Sequence, residues 1–448
     1  MAQQPTWLDE KPLQQFFAAS VVAGGQARAV GGCVRDFLLG FEGADIDLAS
    51  TLTPEKNIEI AAQHGWKAIP TGIDHGTVTI VLPGRVVEVT TLRRDVTTDG
   101  RRATVAYTDN WQEDAARRDF TMNALFMDAS GKIYDFFDGK NDIAARRVAF
   151  IGDASTRIEE DALRILRYFR FLATHGKPPA DATALAAISA KKSLIKNLSG
   201  ERIANEMRKL LAADNPAYVL RLMAEHDTAP LIFGRAMDAS RMIRLQLLES
   251  QADYQTSVWA RVICLMTPPP GAEEAPTPPP EGEVRCSTSV PQARPSVSDE
   301  AVGSRTSPSR GEVARSAGGG DIDWITQRWK LARHEAKQLT QLASLPAFDA
   351  HAPRHAHTRI LRLNGAPAYL DLLLTQAATT PGIDIAPYVA LAHDFTPPTF
   401  PITAKDLMAR GMKEGKALGD ALAELEKKWE ESDYTLTKEA LLDTSNRI

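Results

Sequence analysis

Three cysteines among 448 residues, Cys33, Cys264 and Cys286, are too few and too scattered for a disulfide framework or a zinc-ligand spacing. Any metal the chain uses must then sit on oxygen ligands. No uninterrupted apolar run reaches the ~18 residues that a membrane span needs, and residues 1–10 carry neither a basic nor an apolar leader segment. The chain is therefore expected to be cytoplasmic, with no membrane partner. Positive charge is not in excess either. A net charge of −5 argues against a protein that coats nucleic acid by bulk electrostatics, and leaves room only for a local basic stripe. No internal repeat of fixed period is present, which argues against a solenoid or propeller.

What is present is enough apolar residue, 44%, for two or more packed modules. From about residue 21 to 150 short β-rich runs are punctuated by glycine, and from about 156 onward the pattern is almost wholly helical. Residues 75–82 and 85–92 alternate on either side of Pro83-Gly84 and predict a hairpin, with a second one at 128–134 centred on Gly131. Residues 95–110 lack apolar periodicity and are expected to form a mobile loop, followed by a helix over 111–125. Further helices are expected at 156–172, 200–213, 217–225, 236–249 and 254–266. Between about 267 and 320 the chain turns to proline, serine and glycine, which predicts a disordered insert. Helical signals return at 324–344, 369–377, 387–392 and 402–429. The expected division is a head at 1–150, a helical neck and body at 151–266, the insert at 267–320, and a helical body and tail at 321–448.

In Asp45-Ile46-Asp47-Leu48 the period of a strand puts two carboxylates on one side and two apolar residues on the other. Carboxylates aimed at one point repel unless a cation lies between them. Asp-x-Asp alone is more often a solvated strand end. Glu88, in a strand among valines, is either a third oxygen ligand or half of an ion pair with a nearby arginine. Three carboxylates suit a site for two magnesium ions, one sharpening a hydroxyl nucleophile and one stabilising a leaving pyrophosphate. Upstream, Gly31-Gly32 opens onto a helix start, where free backbone amides cradle phosphate and Arg35 adds a charge-assisted contact. Further on, Thr156-Arg157-Ile158-Glu159 has capping-box spacing and predicts a helix running through Asp161 and Arg164. On one helix face these two offer an acceptor beside a donor fork, which complements the Watson–Crick edge of a base. Alternatively they form a plain intrahelical ion pair.

Gly31-Gly32-Cys33-Val34-Arg35-Asp36-Phe37-Leu38-Leu39-Gly40 followed by Asp45-Ile46-Asp47 resembles the signature of the bacterial tRNA nucleotidyltransferase and poly(A) polymerase family. Thr71-Gly72-Ile73-Asp74-His75-Gly76-Thr77 and Glu88-Val89-Thr90-Thr91-Leu92-Arg93 are similar to the family's hairpin. The resemblance implies an α+β fold, a polymerase-β-like nucleotidyltransferase head with a small mixed sheet, followed by an all-α neck, body and tail. It also makes Asp45, Asp47 and Glu88 catalytic ligands of Mg2+. Arg117-Arg118-Asp119-Phe120-Thr121-Met122-Asn123-Ala124 resembles the ribose motif, which implies Asp119 on the 2′-hydroxyl and Arg118 near the phosphates. Read from the residues alone, Arg117-Arg118 is only a charged helix face. Glu160-Asp161-Ala162-Leu163-Arg164 resembles the family's protein template, which implies that Asp161 and Arg164 choose between CTP and ATP while Glu160 steadies the arginine.

The implied activity is addition of CCA to the 3′ end of tRNA from CTP and ATP, with tRNA held through its 3′ end and acceptor arm. The alternatives are a poly(A) polymerase, or an enzyme adding only the C residues or only the A. Poly(A) polymerases of this family tend to carry a basic C-terminal extension, whereas residues 422–448 are rich in Glu and Asp, which favours CCA addition. An inactive RNA-binding relative would be expected to lack some of the metal or template residues. Ser199-Gly200-Glu201-Arg202-Ile203-Ala204-Asn205-Glu206 is similar to the family's neck helix, although Glu201 and Arg202 could serve only as bridges to neighbouring helices. Pro401-Ile402-Thr403-Ala404-Lys405-Asp406-Leu407 resembles its tail. His393-Asp394 and Cys33 are read as structural.

Overall fold

Alternating apolar residues in the first third of the chain condense into one mixed sheet. The computed structural model describes residues 4–41, 45–99, 102–267 and 319–445. Its strands are β1 (Ala27–Val30), β2 (Asp47–Ser50), β3 (Lys67–Gly72), β4 (Thr77–Leu82), β5 (Arg85–Thr91), β6 (Arg93–Asp99), β7 (Arg102–Tyr107), β8 (Leu125–Met127) and β9 (Ile133–Asp135). Seven of them form a sheet in the order β3-β4-β5-β2-β1-β8-β9. Only β2 and β5 run parallel, which pairs Asp47 with Glu88 across the ladder. Val78, Ile80 and Leu82 on β4 and Val87 and Val89 on β5 are buried, while their alternate neighbours face away. α1 (Lys11–Val22), α2 (Gly32–Leu39) and α3 (Pro54–Gln63) pack against these strands.

After α4 (Trp111–Ala116) and α5 (Gly139–Ala144) every described element is helical. α6 (Ala154–Glu160) lies against α8 (Ala182–Lys191), and α7 (Leu163–Thr174) against α9 (Gly200–Leu211). The chain continues through α10 (Ala217–Glu225), α11 (Ala229–Phe233), α12 (Ala239–Ala252), α13 (Val258–Met266), α14 (Gly319–Arg328) and α15 (Arg333–Ala343). α16 (Arg354–Thr379) is interrupted at Gly365, and α17 (Ala386–Asp394), α18 (Ala404–Ala409), α19 (Lys416–Glu431) and α20 (Lys438–Ser445) complete it. Two compact units result: Met1–Ile243 with Thr326–Leu331, and Arg244–Ile325 with Ala332–Ile448. In the second, Ile402, Leu407, Leu418, Leu425, Trp429 and Leu441 form the core of the C-terminal helices.

Several expectations need correction. Residues 95–110 are not a loop, because β6 and β7 pair as an antiparallel ribbon; residues 100 and 101 lie outside the described residues. The helix expected over 111–125 stops at Ala116, where the backbone pairs elsewhere. Thr121 donates to the Ala149 carbonyl and Ile151 to that of Asp119, so Phe120 bridges to Phe150 instead of continuing the helix. The helix expected over 156–172 is two helices. It begins at Ala154, where the Asp153 side chain accepts from the Thr156 amide, and it breaks at Asp161, whose φ of −152° and ψ of 104° are extended. Residues 324–344 and 402–429 are each split in the same way, into α14 and α15 and into α18 and α19. β2 begins at Asp47, so Asp45 precedes the strand, although the alternation of exposed Asp45, buried Ile46, exposed Asp47 and buried Leu48 holds. Most of the expected insert, 268–318, lies outside the described residues.

Candidate active site

The chain turns from β1 into α2 at Gly31, whose φ of +69° and ψ of −115° an L side chain rarely adopts. The backbone conformation alone asks for glycine here, because a Cβ would meet the Arg118 guanidinium and the Asn123 carbonyl only at 3.6 Å, an ordinary contact. Gly31 and Gly32, together with Arg35 and Asp47, line a cleft of about 430 Å³ at the start of α2. Arg35 is fixed by two partners. Its Nε donates to Asp36 at 2.8 Å, and one Nη donates to Asn123 at 2.7 Å.

Asp47 stands at the cleft edge with its side chain exposed, and no partner holds it among the described residues. Protein around it displaces water, and the nearby Glu88 and Asp45 charges repel its own. With Arg118 pulling the other way, its carboxyl is pushed up to about 6. Glu88 is exposed, not buried, so the cost of burial cannot be its reason for seeking a cation. It forms no ion pair among the described residues, and what links it to Asp47 is the ladder. Among the described residues no three His, Cys, Asp or Glu side chains converge tightly enough to form a closed metal cage, at His393-Asp394 or elsewhere. Cys33 is buried, its thiol is pushed up to about 12 chiefly by loss of solvent, and it packs beneath the turn.

The middle wall comes from Arg118, Asp119 and Asn123. Asp114, on α4 and 1% exposed, holds Arg117 by contacts of 2.6 and 2.8 Å and Arg118 by contacts of 3.0 and 3.2 Å. Burial opposes ionisation of Asp114, yet Arg118 and Arg117 outweigh it and hold the carboxyl below its ordinary value. Asp119 is buried too. Its Oδ1 accepts from the Phe120 amide and the Asn123 carboxamide, and its Oδ2 accepts from the Arg167 Nε at 2.7 Å, with an Arg167 Nη in ion-pair contact at 2.5 Å. Here again Arg167 outweighs burial, and the carboxyl lies low.

The far wall is helical: Asp161, Arg164, Arg167, Phe171 and Arg202. Asp161 caps the start of α7, its Oδ1 accepting from the Leu163 amide at 3.1 Å. That local bond explains the break, and it removes the predicted stacking of Asp161 and Arg164 on one helix face. They meet instead as the end of α6 and the first turn of α7. Their side chains do not pair with each other among the described residues, although the Arg164 amide donates to the Asp161 carbonyl at 3.0 Å. Arg202 donates to Asp161 at 2.7 Å, and Arg164 donates to Glu160 at 2.5 Å and to the carbonyls of Arg157 and Arg117. Arg35, Arg167 and Arg170 gather around the Phe171 ring at 5.2, 5.4 and 4.0 Å from its centre.

The structure thus brings Gly31, Gly32, Arg35, Asp47, Arg118, Asp119, Asp161 and Arg164 onto one cleft, with Asp45 and Glu88 beside Asp47 and not on the lining. Asp114, Asn123 and Arg167 were missed as partners, whereas Arg202, read as a possible bridge to a neighbouring helix, does bridge, to Asp161. Arg167 and Phe171 had a signal, since with Arg164 they recur at i, i+3 and i+7.

Residues 27–149 match a family model described as the poly A polymerase head domain, and residues 181–236 match one described as the probable RNA and SrmB-binding site of polymerase A. The chain is 30% identical over 431 residues to CCA tRNA nucleotidyltransferase 1, mitochondrial, of Danio rerio, a match spanning 94% of this chain and 86% of that protein. To the Homo sapiens protein of the same name it is 42% identical over 210 residues, 46% of this chain and about half, 48%, of that one. Among solved structures, the Bacillus stearothermophilus CCA-adding enzyme in complex with CTP superposes with a TM-score of 0.68 at 26% identity, covering 98% of each chain.

Proposed function

The chain belongs to the family of CCA tRNA nucleotidyltransferases, and from that premise we propose that it appends C, C and A to the 3′ end of tRNA from CTP and ATP. The observation that carries the proposal is the single cleft in which the glycine turn and Asp47 face Asp161 and Arg164. In the reaction the RNA 3′-oxygen bonds to the α-phosphorus of the nucleotide, the α–β bridging bond breaks, and pyrophosphate leaves.

Each side chain has a role that its surroundings support. The amides after Gly31 and Gly32, with Arg35 and Arg118, hold the triphosphate, and Asp119 lies on the ribose side. Asp161 and Arg164 read the base. Two of the four acceptor positions on Asp161 and three of the five donors on Arg164 are engaged by protein, which leaves both with capacity facing the cleft. Cytosine and adenine each present an amino donor beside a ring-nitrogen acceptor, and so suit one carboxylate beside one guanidinium. Uracil and guanine present a carbonyl where the amino group would be, and a carboxylate repels it. One protein pair therefore accepts both C and A and rejects the other two.

The family uses divalent metal, here taken as Mg2+. The residues fit it: Asp47, held by no hydrogen bond among the described residues and crowded by Glu88 and Asp45, is a hard oxygen donor whose charge the nearby Arg118 compensates only in part. Asp45, Asp47 and Glu88 would hold the metal, which when bound supplies activation of the 3′-hydroxyl and neutralisation of the triphosphate and departing pyrophosphate. No helix among the described residues is long and apolar enough to cross a membrane.

The test incubates the protein with magnesium and tRNA ending at the discriminator base, adding CTP alone, ATP alone, or both. CTP alone should add two residues and the mixture three. Long A tracts made without CTP would replace this reading with poly(A) synthesis, and a stop after C, or after A alone, would replace it with divided labour.

A further inference from the structure

A largely buried histidine reaches the arginine of the glycine turn from behind. His175 closes the C-terminal end of α7 with its side chain 13% exposed, and its ring lies 5.5 Å from that of Phe171 and 6.3 Å from that of Phe41, centre to centre. Its Nε2 stands 3.4 Å from the Oδ1 of Asp36. The same oxygen holds Arg35, whose Nε donates to it at 2.8 Å and one of whose Nη atoms is also 2.8 Å away, while the other Nη donates to Asn123. Arg35 lines the cleft, whereas Asp36 and His175 are not on the lining.

The hydrogen on the imidazole can be placed from what flanks it. Burial, with the Arg35 and Arg170 charges, outweighs Asp36 and keeps the ring below its ordinary value, so at pH 7 it is neutral and carries one hydrogen. A bare ring nitrogen opposite a carboxylate would set acceptor against acceptor, so the hydrogen belongs on Nε2. Nδ1 is then an acceptor, and the Thr174 hydroxyl at 2.6 Å supplies it, turning from the Arg170 carbonyl at 2.9 Å. Burial also opposes ionisation of Asp36, yet His175 and Arg35 outweigh it and hold the carboxyl below its ordinary value. An ionised, fixed Asp36 orients the Arg35 guanidinium before a phosphate meets it, which lowers the cost of ordering that long side chain on binding.

We propose that His175 is a positioning residue for the triphosphate: through Asp36 it sets the Arg35 guanidinium, and it ties that grip to the helix whose first turn carries Arg164. α7 then serves the whole length of the nucleotide. Arg164 at its start meets the base, Arg167 in its middle holds Asp119, and His175 at its end steadies the phosphate clamp. The inference rests on the proposed nucleotidyl transfer and deepens it, adding a residue that touches neither nucleotide nor metal.

The experiment measures the Kd for CTP and for cytidine without tRNA, and KM and kcat for CTP with tRNA, in the wild-type chain, His175→Phe and His175→Gln. Phenylalanine keeps a ring against Phe41 and Phe171 and removes the donor. Glutamine removes the ring and keeps a donor at the reach of Nε2. A hydrogen bond to a charged group is worth about tenfold or more in an equilibrium, and a contact as long as this one less, about three- to tenfold. His175→Phe should therefore raise the Kd and KM for CTP about three- to tenfold, with kcat and the Kd for cytidine unchanged, and His175→Gln should stay near wild type. If His175→Phe does not fold, His175→Leu takes its place with the same outcomes. Wild-type binding of CTP by His175→Phe, equal losses on CTP and cytidine, or a loss in His175→Gln as large as in His175→Phe would mark a packing role and overturn the inference while leaving the function intact. A wild-type chain that incorporates no nucleotide would overturn the functional reading, and the inference with it.

Discussion

Replacing Asp114 with alanine removes one carboxylate and strands two guanidinium groups. Its side chain is 1% exposed, and Arg117 and Arg118 close on its two oxygens, each through two nitrogens, while the Arg93 amide adds a weaker contact at 3.3 Å. Removing one partner of a buried pair costs about 3–5 kcal/mol, because the charge left behind is uncompensated. The arginines retain some access to water, at 16% and 20% exposure, and Arg117 keeps a bond to the Arg93 carbonyl. The lower end, about 3 kcal/mol, is therefore expected. For a unit of this size each kcal/mol moves the melting midpoint by about 2–4 °C, so the loss should be about 6–12 °C by thermal circular dichroism at pH 7. Because the Asp114 carboxyl lies below its ordinary value in the fold, its contribution is complete above the unfolded value near 4 and disappears as pH falls through the lower folded value. The gap between wild type and variant should therefore close in acid. Arg118 lines the cleft, so the KM for CTP should rise as well. A variant within about 1 kcal/mol of wild type at pH 7, or a gap that does not change with pH, would refute the argument.

Two further outcomes are expected. Asp47→Asn should abolish nucleotide addition yet leave the metal-free fold as stable or slightly more so at pH 7. The carboxyl is raised to about 6, so its charged form is disfavoured in the folded state and any stabilisation by the amide should vanish below about pH 4; a clear fall in melting temperature would count against this. Arg164→Ala should narrow the preference for CTP over UTP by about tenfold or more, measured as the ratio of kcat/KM values. An unchanged ratio would show that another group reads the base.

Much of the head was legible because strand periodicity is local. Asp47 declares an outward face in its own few residues, and the Pro83-Gly84 turn declares the hairpin, whereas Glu88, read among valines as a carboxylate costly to bury, proves exposed. The parallel pairing that sets one beside the other is a long-range event that no window of sequence contains. The ribbon of β6 and β7 was read as a loop because an isolated two-stranded pair has no core face to impose alternation. The break at Asp161 was invisible for a different reason. Glu160-Asp161-Ala162-Leu163-Arg164 suits a continuous helix, and what ends it is an aspartate side chain turning back on its own backbone, with Arg202, 41 positions away, on its other oxygen. The partners of the site residues were likewise hidden by distance: Arg35 finds Asn123 across 88 positions and Arg167 finds Asp119 across 48.

On the proposed reading of the base by Asp161 and Arg164, the junction of α6 and α7 gives base choice an unusual kind of adjustability. A reader laid out along one helix face would have a spacing fixed by helical pitch. This one is mounted on a corner, and its setting is an angle. Arg157 braces that corner to the Arg118 carbonyl, and Arg202 braces it from α9. A substitution at a brace would retune which edge of a base is accepted while both reading residues stay in place. Altered nucleotide preference is then to be sought first in the struts around the reader, and only afterwards in the reader itself.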